Sequence, residues 1–418
     1  MATLLDIARA AGVSKMTVSN ALRGKSNVSE ATRARIIQTA QRLNYQTNLA
    51  ARALSSGRNG ILEFIIQDLD SPFYSKLAKE VSRAAEANGM QMLIRQSLYS
   101  AESEKSALSS TNSLFCDGLI LATPQLSGAE ARTLAQSRPL ILIDDCSPDP
   151  QLATVNTPNY EGAYQAIAHL LSVGVRRPLL LGGTFIDDID AIAADSDSAS
   201  AARPLRTVCE LRVAGAAQAL RDHGFELEPA QCLPVDWTYE LTRTVIREMA
   251  ERAHGDFLFD GIFGMSDVAA LGAIRGLEDA GLQVPDDVKI IGFDGVTYGD
   301  IATPSLSTID IDMTAMANMI VSRLMEQLNR TDTADSGADY DSAPRNGDHS
   351  GDGGNIGGTV GVGGSGNNGV HGGNVHNNAA SATRTAAANS TDSAPTVDVA
   401  PFTLRAREST LGRATRIH

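Results

Sequence analysis

From residue 61 onward, seven runs of apolar residues recur along the chain: "ILEFII", "MQMLI", "GLILA", "PLILID", "PLLLGG", "GIFGM" and "VKIIGFD". Segments with helical spacing, among them Ser75 to Ala87 and Val268 to Ala280, separate them. A strand with one wet face alternates apolar and polar residues, whereas these runs are apolar almost throughout. They predict parallel strands covered by helices on both faces, an α/β architecture. About 270 residues of this rhythm exceed one comfortable core, so two Rossmann-like lobes with a cleft between them are expected. Ligands of such folds sit at the carboxyl ends of the strands.

The first sixty residues follow a different rule. Thr3 followed by Asp6 resembles a capping arrangement, after which Leu4, Ile7, Ala8 and Ala11 share a face until Gly12 stops the helix. Ser14 can cap a second helix with Val18 and Leu22 inward, ended by Arg23 and Gly24. Ser29 caps a third, in which Ile36, Ala40 and Leu43 recur while Arg33, Arg35 and Arg42 stay exposed. The turn "AGVS" supplies what a helix-turn-helix needs: a small residue, a glycine for positive φ, and a cap. Nine basic and two acidic side chains give residues 1 to 60 a net charge of +7; the remaining 26 basic and 47 acidic residues give −21. The overall −14 therefore hides a basic module joined to an acidic body, a division that suggests a small nucleic-acid-binding module, with an ordinary solvated helical face as the plainer reading of the charge alone.

Residues 331 to 400 interrupt the rhythm. "GDGGNIGGTVGVGGSGNNGVHGGNVHNN" holds almost no large apolar side chain, so it cannot bury enough surface to offset its ordering entropy and reads as a disordered insertion. A strand pattern, "FTLRARESTLG", returns at 402. No apolar run approaches the length of a spanning helix and no secretory signal opens the chain, so a cytoplasmic protein without membrane contact is expected. Cys116, Cys146, Cys209 and Cys232 lack CxxC spacing and read as buried or inert thiols; neither a metal site nor a cofactor is predicted.

Seven stretches occur in a shared order: "TLLDIARAAGVSKMTVSNALRG", "VSEATRARIIQTAQRLNY", "NLAARALSSGR", "DLDSPFY", "GLEDAGLQVPDDVKIIGFDG", "TPSLSTI" and "LRAREST". In order and spacing the chain resembles the LacI/GalR family of bacterial transcriptional regulators. The resemblance implies a helix-turn-helix headpiece at 1–46, a hinge helix at 47–60, and a two-lobed, periplasmic-binding-protein-like effector domain. Its first lobe would comprise 61–156 and 296–328, its second 157–295 and 401–418. The second helix would lie in the major groove, with Lys15, Met16 and Asn20 meeting base edges and Ser14, Thr17 and Ser19 positioning on phosphate. Met16 has a second reading, as a packing residue. Leu54, helped by Arg52, would wedge into the minor groove, against the plainer reading of a linker residue; Thr47 stands where the family often has proline.

For the cleft, the resemblance implies effector contacts from Asp68, Ser71, Phe73 and Tyr74 in the first lobe. Arg212, Trp237, Ser266, Asp267 and Asp294 would answer from the second, with Arg212 and Asp294 grasping hydroxyls. Ser266 stands where asparagine is common, and the acidic stretch 185–207 is longer than usual. The implied function is a repressor of carbohydrate-metabolism genes, a homodimer on a near-palindromic double-stranded operator, released or retained by a small sugar. The alternative is an effector-independent or partner-controlled regulator with an altered pocket. A transport-linked sugar-binding protein would need an export signal and has no use for the basic module. An enzyme is not expected, because no nucleophile, metal cluster or phosphate loop accompanies the carboxylates.

Overall fold

The computed structural model describes residues 2–22, 27–43, 45, 58–109, 115–147, 150–186, 207–254, 256–336 and 395–412. The hinge residues Arg52 and Leu54, the ending of the second helix at Arg23 and Gly24, nearly all of the acidic stretch 185–207 and most of the Gly/Asn tract lie outside them.

The headpiece contains three helices, α1 (Leu4–Ala11), α2 (Lys15–Leu22) and α3 (Glu30–Arg42). Thr3 Oγ1 accepts from the Asp6 amide while the Asp6 carboxylate takes the Thr3 amide at 2.8 Å, a closed capping box. Gly12 ends α1 at φ 65°, the left-handed conformation that a side chain resists. Ile7, Ala8, Ala11, Val18, Ala21 and Ile36 close a small core. Two details differ from the sequence expectation. Ala21 faces inward where Leu22 was expected, and Leu22 is 38% exposed. Arg33 is half-buried, because its guanidinium donates to the Ala21 carbonyl at 3.1 Å and closes the end of α2.

The remaining chain forms two six-stranded sheets. The first contains β1 (Ile61–Ile66), β2 (Gln91–Gln96), β3 (Gly118–Ala122), β4 (Leu140–Ile143), β5 (Thr154–Asn156) and β11 (Val397–Val399), in the order β11-β5-β4-β3-β1-β2 and parallel throughout. The second contains β6 (Pro178–Leu181), β7 (Cys232–Leu233), β8 (Gly261–Gly264), β9 (Lys289–Asp294), β10 (Ser307–Ile311) and β12 (Phe402–Arg405). Its order is β12-β10-β9-β8-β6-β7, with β12 antiparallel. The interior strands β3, β4, β6 and β8 are buried at every residue, as unbroken apolar runs require. The edge strand β2 is largely exposed.

The helices that cover the sheets are α4 (Pro72–Ala87), α5 (Ala101–Ser109), α6 (Gly128–Ala135), α7 (Asn159–Ser172), α8 (Val208–Asp222), α9 (Tyr239–Arg252) and α10 (Asp267–Asp279). Shorter α11 (Thr297–Ile301), long α12 (Met313–Ser336) and α13 (Glu408–Leu411) are the other helices among the described residues of this part of the chain. The lobes repeat one anchoring device. Asp117, just before β3, accepts the amides of Asn59 and Gly60 that lead into β1; Asp260, just before β8, accepts those of Arg176 and Arg177 that lead into β6. Each aspartate precedes a glycine that opens a buried strand.

The lobe boundaries move from the expected ones. β10 belongs to the second sheet, so 296–328 does not lie wholly in the first lobe; the chain returns there only at α12, whose Leu324 rests on Gly118. The described fold also takes in residues before 401, because β11 pairs with β5. The three crossings between lobes run side by side. The Ala400 amide donates to the Asn156 carbonyl at 2.8 Å and the Asp312 amide to the Pro401 carbonyl at 2.9 Å. The four cysteines are free, and burial pushes the Cys116 and Cys232 thiols up to about 12. Among the described residues, no helix is long and apolar enough to cross a membrane.

Helices α7 and α8 approach closely enough that Gly215 cannot be replaced. A Cβ there would fall 2.1 Å from the Tyr160 carbonyl oxygen, a rigid backbone atom. Gly215→Ala is expected to lower stability by about 3 kcal/mol, measured by chemical unfolding, and to displace the helix that carries Arg212.

Candidate functional site

Between the strand ends of the two sheets lies a cavity of about 900 Å³, within the range of small-molecule sites. Its walls carry four non-glycine residues in the left-handed region: Tyr99 (φ 58°), Thr123 (φ 45°), Asp144 (φ 54°) and Asp294 (φ 116°). Each costs about 1–3 kcal/mol. Three of the four follow or end a strand directly, after β3, after β4 and at the end of β9. Strain gathered on one cavity at strand carboxyl ends marks it as the place where the fold serves a ligand rather than its own stability.

Eight of the nine expected effector residues line the cavity: Asp68, Ser71, Phe73, Tyr74, Arg212, Trp237, Ser266 and Asp294. Pro72 opens α4, so its first turn presents Phe73 and Tyr74 edge to face, with centroids 5.1 Å apart. The Tyr74 hydroxyl donates to Thr123 Oγ1 at 2.9 Å, and burial drives its ionisation far above the ordinary range. On the opposite wall, the Trp237 indole donates to the Gly182 carbonyl at 3.0 Å, and the Arg212 guanidinium lies 5.1 Å from its ring.

Asp267 is the exception. It is fully buried and points away from the cavity, taking the Val296 amide at 2.7 Å and the Thr308 hydroxyl at 2.5 Å. It ties α10 to β10 and to the turn after β9, and burial holds its carboxyl well above the usual range. Its neighbour Ser266 lines the cavity but also caps α10, accepting the Ala269 amide.

Arg212 organises the floor. Its Nε donates to Asn159 Oδ1 at 2.9 Å, one terminal nitrogen donates to the Met265 carbonyl, and the other stands 3.8 Å from Asp294 Oδ1. Its plane stacks 3.7 Å from the Phe293 ring centre. Asn159 in turn donates to Asp144 at 3.2 Å, and Asp144 also takes the amide and hydroxyl of Thr157. A continuous path, Asp144 to Asn159 to Arg212 to Asp294, thus joins strand ends of both sheets. Burial raises both carboxyls; for Asp294 the value reaches about 7, with Asp144 adding repulsion and Arg212 opposing it. Sequence reading missed Asp144, Asp145, Tyr99, Thr123 and Asn159. The signal available was "PLILID", where an aspartate ends an apolar strand just as Asp294 ends "VKIIGFD".

In the headpiece, Lys15 and Met16 stand exposed at the start of α2, Met16 at 69%, which sets aside its packing reading. Thr17, Ser19 and Asn20 are half-buried on the same helix. Ser14 accepts the Thr17 amide at 3.1 Å, with the two hydroxyls 2.8 Å apart, so both are turned to the helix start.

Two outcomes test this division of roles. Asp267→Ala leaves the Val296 amide without its acceptor and the Thr308 hydroxyl with only a 3.3 Å contact to the Ile309 carbonyl to donate to, and is expected to cost about 3 kcal/mol of stability, read by chemical unfolding; an unchanged midpoint refutes the structural role. For Asp294 the folded protein holds a proton from 3.8 to about 7 that the unfolded chain has released. That contribution to stability is complete at low pH and is lost as pH rises through about 7. Asp294→Asn should therefore flatten the decline of the thermal midpoint between about pH 4 and pH 8.

With this geometry in view, comparisons with known proteins assign the chain. Residues 3–48 match the family of bacterial regulatory proteins, lacI family, and residues 59–342 match the periplasmic binding proteins and sugar binding domain of the LacI family. The regulator AscG of Escherichia coli is 28% identical over 79% of this chain and 94% of its own length. The repressor CytR of the same species is 29% identical over 74% and 84%. Among solved structures, the lac repressor dimer bound to operator and an anti-inducer superposes with a TM-score of 0.64 at 22% identity, covering 79% of this chain and 93% of that one. A putative regulator from Sanguibacter keddieii does so at 0.58 and 25% identity, covering 85% and 100%. These relatives are transcriptional regulators, not enzymes, and the chain is a member of the LacI family: a helix-turn-helix DNA-binding module followed by a sugar-binding-type domain.

Proposed function

We propose that this protein is a cytoplasmic repressor of carbohydrate-metabolism genes, acting as a homodimer on a near-palindromic operator and controlled by a small sugar in the cleft. The observation that carries the reading is the strained cavity of about 900 Å³, a largely apolar lining on which a few polar side chains converge, on the same chain as a basic three-helix headpiece. Relatives support it: a regulator solved with cellobiose, the lac repressor solved with bound ligands, and a repressor named for the ribose operon.

Lys15, Met16 and Asn20 are the base readers. A lysine ammonium suits guanine acceptors, an asparagine amide suits adenine, and an exposed thioether suits the thymine methyl. Ser14, Thr17 and Ser19, near the helix start, hold phosphate. Arg52 and Leu54 act in the minor groove at the centre of the site. In the cleft, Phe73 and Trp237 offer apolar faces from opposite walls, while Asp68, Ser71, Arg212, Ser266 and Asp294 offer polar edges. A ligand touching both walls binds one degree of closure better than another, and that difference is what changes operator affinity. The Lys76 ammonium, donating to the Gly295 carbonyl at 2.7 Å from the opposite lobe, is one contact that closure must keep or break.

Sequencing the genomic fragments retained by the purified protein identifies the operator and the sugars its neighbouring genes handle. Those sugars are expected to alter gel-shift affinity; no change across carbohydrates and nucleobases overturns the gating. Exchanging Lys15, Met16 and Asn20 together should change the preferred half-site, each base contact contributing about 1–3 kcal/mol of discrimination. An unchanged preference places base reading elsewhere.

A further inference from the structure

Past the end of β2 the chain turns through two consecutive left-handed residues, Leu98 (φ 52°) and Tyr99 (φ 58°), neither of them glycine. Glycine would make this turn without strain, so both side chains are held against a conformational cost. Their surroundings differ. Leu98 is 63% exposed and Tyr99 62%, yet only Tyr99 lines the cavity. The turn delivers one aromatic ring to the wall of the cleft.

A buried amide fixes that ring in place. Gln67, the residue after β1, is fully buried. Its Oε1 accepts the Tyr99 amide at 3.0 Å and the Ser97 hydroxyl at 3.1 Å, and its backbone carbonyl accepts the Leu98 amide at 2.9 Å. Its Nε2 donates to the carbonyl of Thr123 at 2.5 Å, the same residue whose hydroxyl receives that of Tyr74. Gln96 adds a second tie, accepting the Leu69 amide at 2.8 Å. A turn stitched to this degree has little freedom left to lose when a ligand lands on it, so the ring is a preorganised surface.

That surface is still mostly in water. Phe73 and Trp237 are half-buried and Tyr74 is buried, whereas Tyr99 is exposed. Asp68 lies near enough that its charge, after burial, raises the ionisation of the Tyr99 hydroxyl. A pyranose presents apolar C–H groups on its face and hydroxyls around its rim; an aromatic face with a carboxylate alongside answers both. The cavity keeps its volume of about 900 Å³ with the lobes already in contact through Lys76 and Gly295. Cavities of that size enclose drug-sized ligands, and a single pyranose is smaller. We propose that Tyr99 is a specificity residue that stacks on a second sugar ring, and that the effector is a disaccharide in chemical class. This rests on the reading of the cleft as a carbohydrate site and fixes the length of the sugar.

The test is calorimetry on the full chain with matched probes: glucose beside maltose and cellobiose, galactose beside lactose and melibiose, and adenosine and cytidine as two-ring ligands that are not disaccharides. The expected result is a disaccharide that binds about tenfold or more tighter than the monosaccharide it contains. Tyr99→Gly and Tyr99→Asn remove the ring and suit the left-handed backbone. Both should abolish that advantage while leaving monosaccharide affinity within about twofold, and Tyr99→Phe should retain it, because the ring face makes the contact. Each variant is checked for folding by its thermal midpoint and for assembly by sedimentation velocity. A monosaccharide that binds as well as every disaccharide, or ringless variants that keep the disaccharide preference, overturn the assignment while leaving the carbohydrate reading intact. Ringless variants that change only the assembly overturn it too, and make the ring a contact between subunits. If a nucleoside binds tightest, or no sugar binds, the carbohydrate reading itself fails and this inference falls with it.

Discussion

Arg212 is a cation almost wholly buried, with only a sliver of its side chain on the cleft wall. A buried guanidinium survives only if its donors and charge are met inside the protein, and here three groups meet it: the Asn159 amide oxygen, the Met265 carbonyl and the Asp294 carboxylate. Each comes from a different element, α7, the end of β8 and the end of β9. The requirement to satisfy one side chain therefore sets how α8, which carries it, packs on α7. That packing in turn demands Gly215 at the point where the helix passes the Tyr160 carbonyl. Through Asn159 the same network reaches Asp144 on the first sheet, so the charge that steadies the second lobe also ties it to the first.

The site carries a stored cost. Four left-handed residues line the cavity, Asp294 keeps a carboxyl whose proton is retained to about pH 7, and Asp145 keeps an oxygen without a donor among the described residues. Stability alone would select against all three. Under the proposed function, a ligand that offsets part of this cost on binding would gain leverage over the separation of the two lobes. Asp267 marks the boundary of that logic. It adjoins Ser266 in sequence and was expected in the cleft, yet it serves the packing of α10, because its carboxylate finds the Val296 amide and Thr308 hydroxyl inside the second lobe.

Helix-turn-helix and sheet were both legible because local rules govern them. Thr3 with Asp6, Gly12, Ser14 and Ser29 are punctuation whose partners lie within a few residues, and each is found in its expected role. The apolar runs became strands because an unbroken apolar segment has no wet face to offer. Short strands were missed for the converse reason: β5, β7 and β11 have two or three residues, too few to show a period, and exist only because a neighbouring edge needs pairing. The boundary error has the same origin. β10 is absent from the apolar runs, and only its pairing with β9 puts it in the second lobe.

Residue identity and spacing thus sufficed for the charge division between module and body and for the seven stretches that carry the family resemblance, and it was the resemblance that named most of the cleft lining before any coordinates: Arg212, Asp294 and the aromatic pair Phe73 and Tyr74. Three-dimensional packing alone decided which polar groups are already satisfied. Asp144, Asp145 and Asp267 are chemically the same side chain, and their differences arise from donors supplied by residues distant in the chain or by a particular local turn. One is saturated, one has an oxygen without a donor among the described residues, and one is turned into the second lobe. Hydrogen-bond satisfaction depends on where donors arrive in space, and a linear order of residues does not record it.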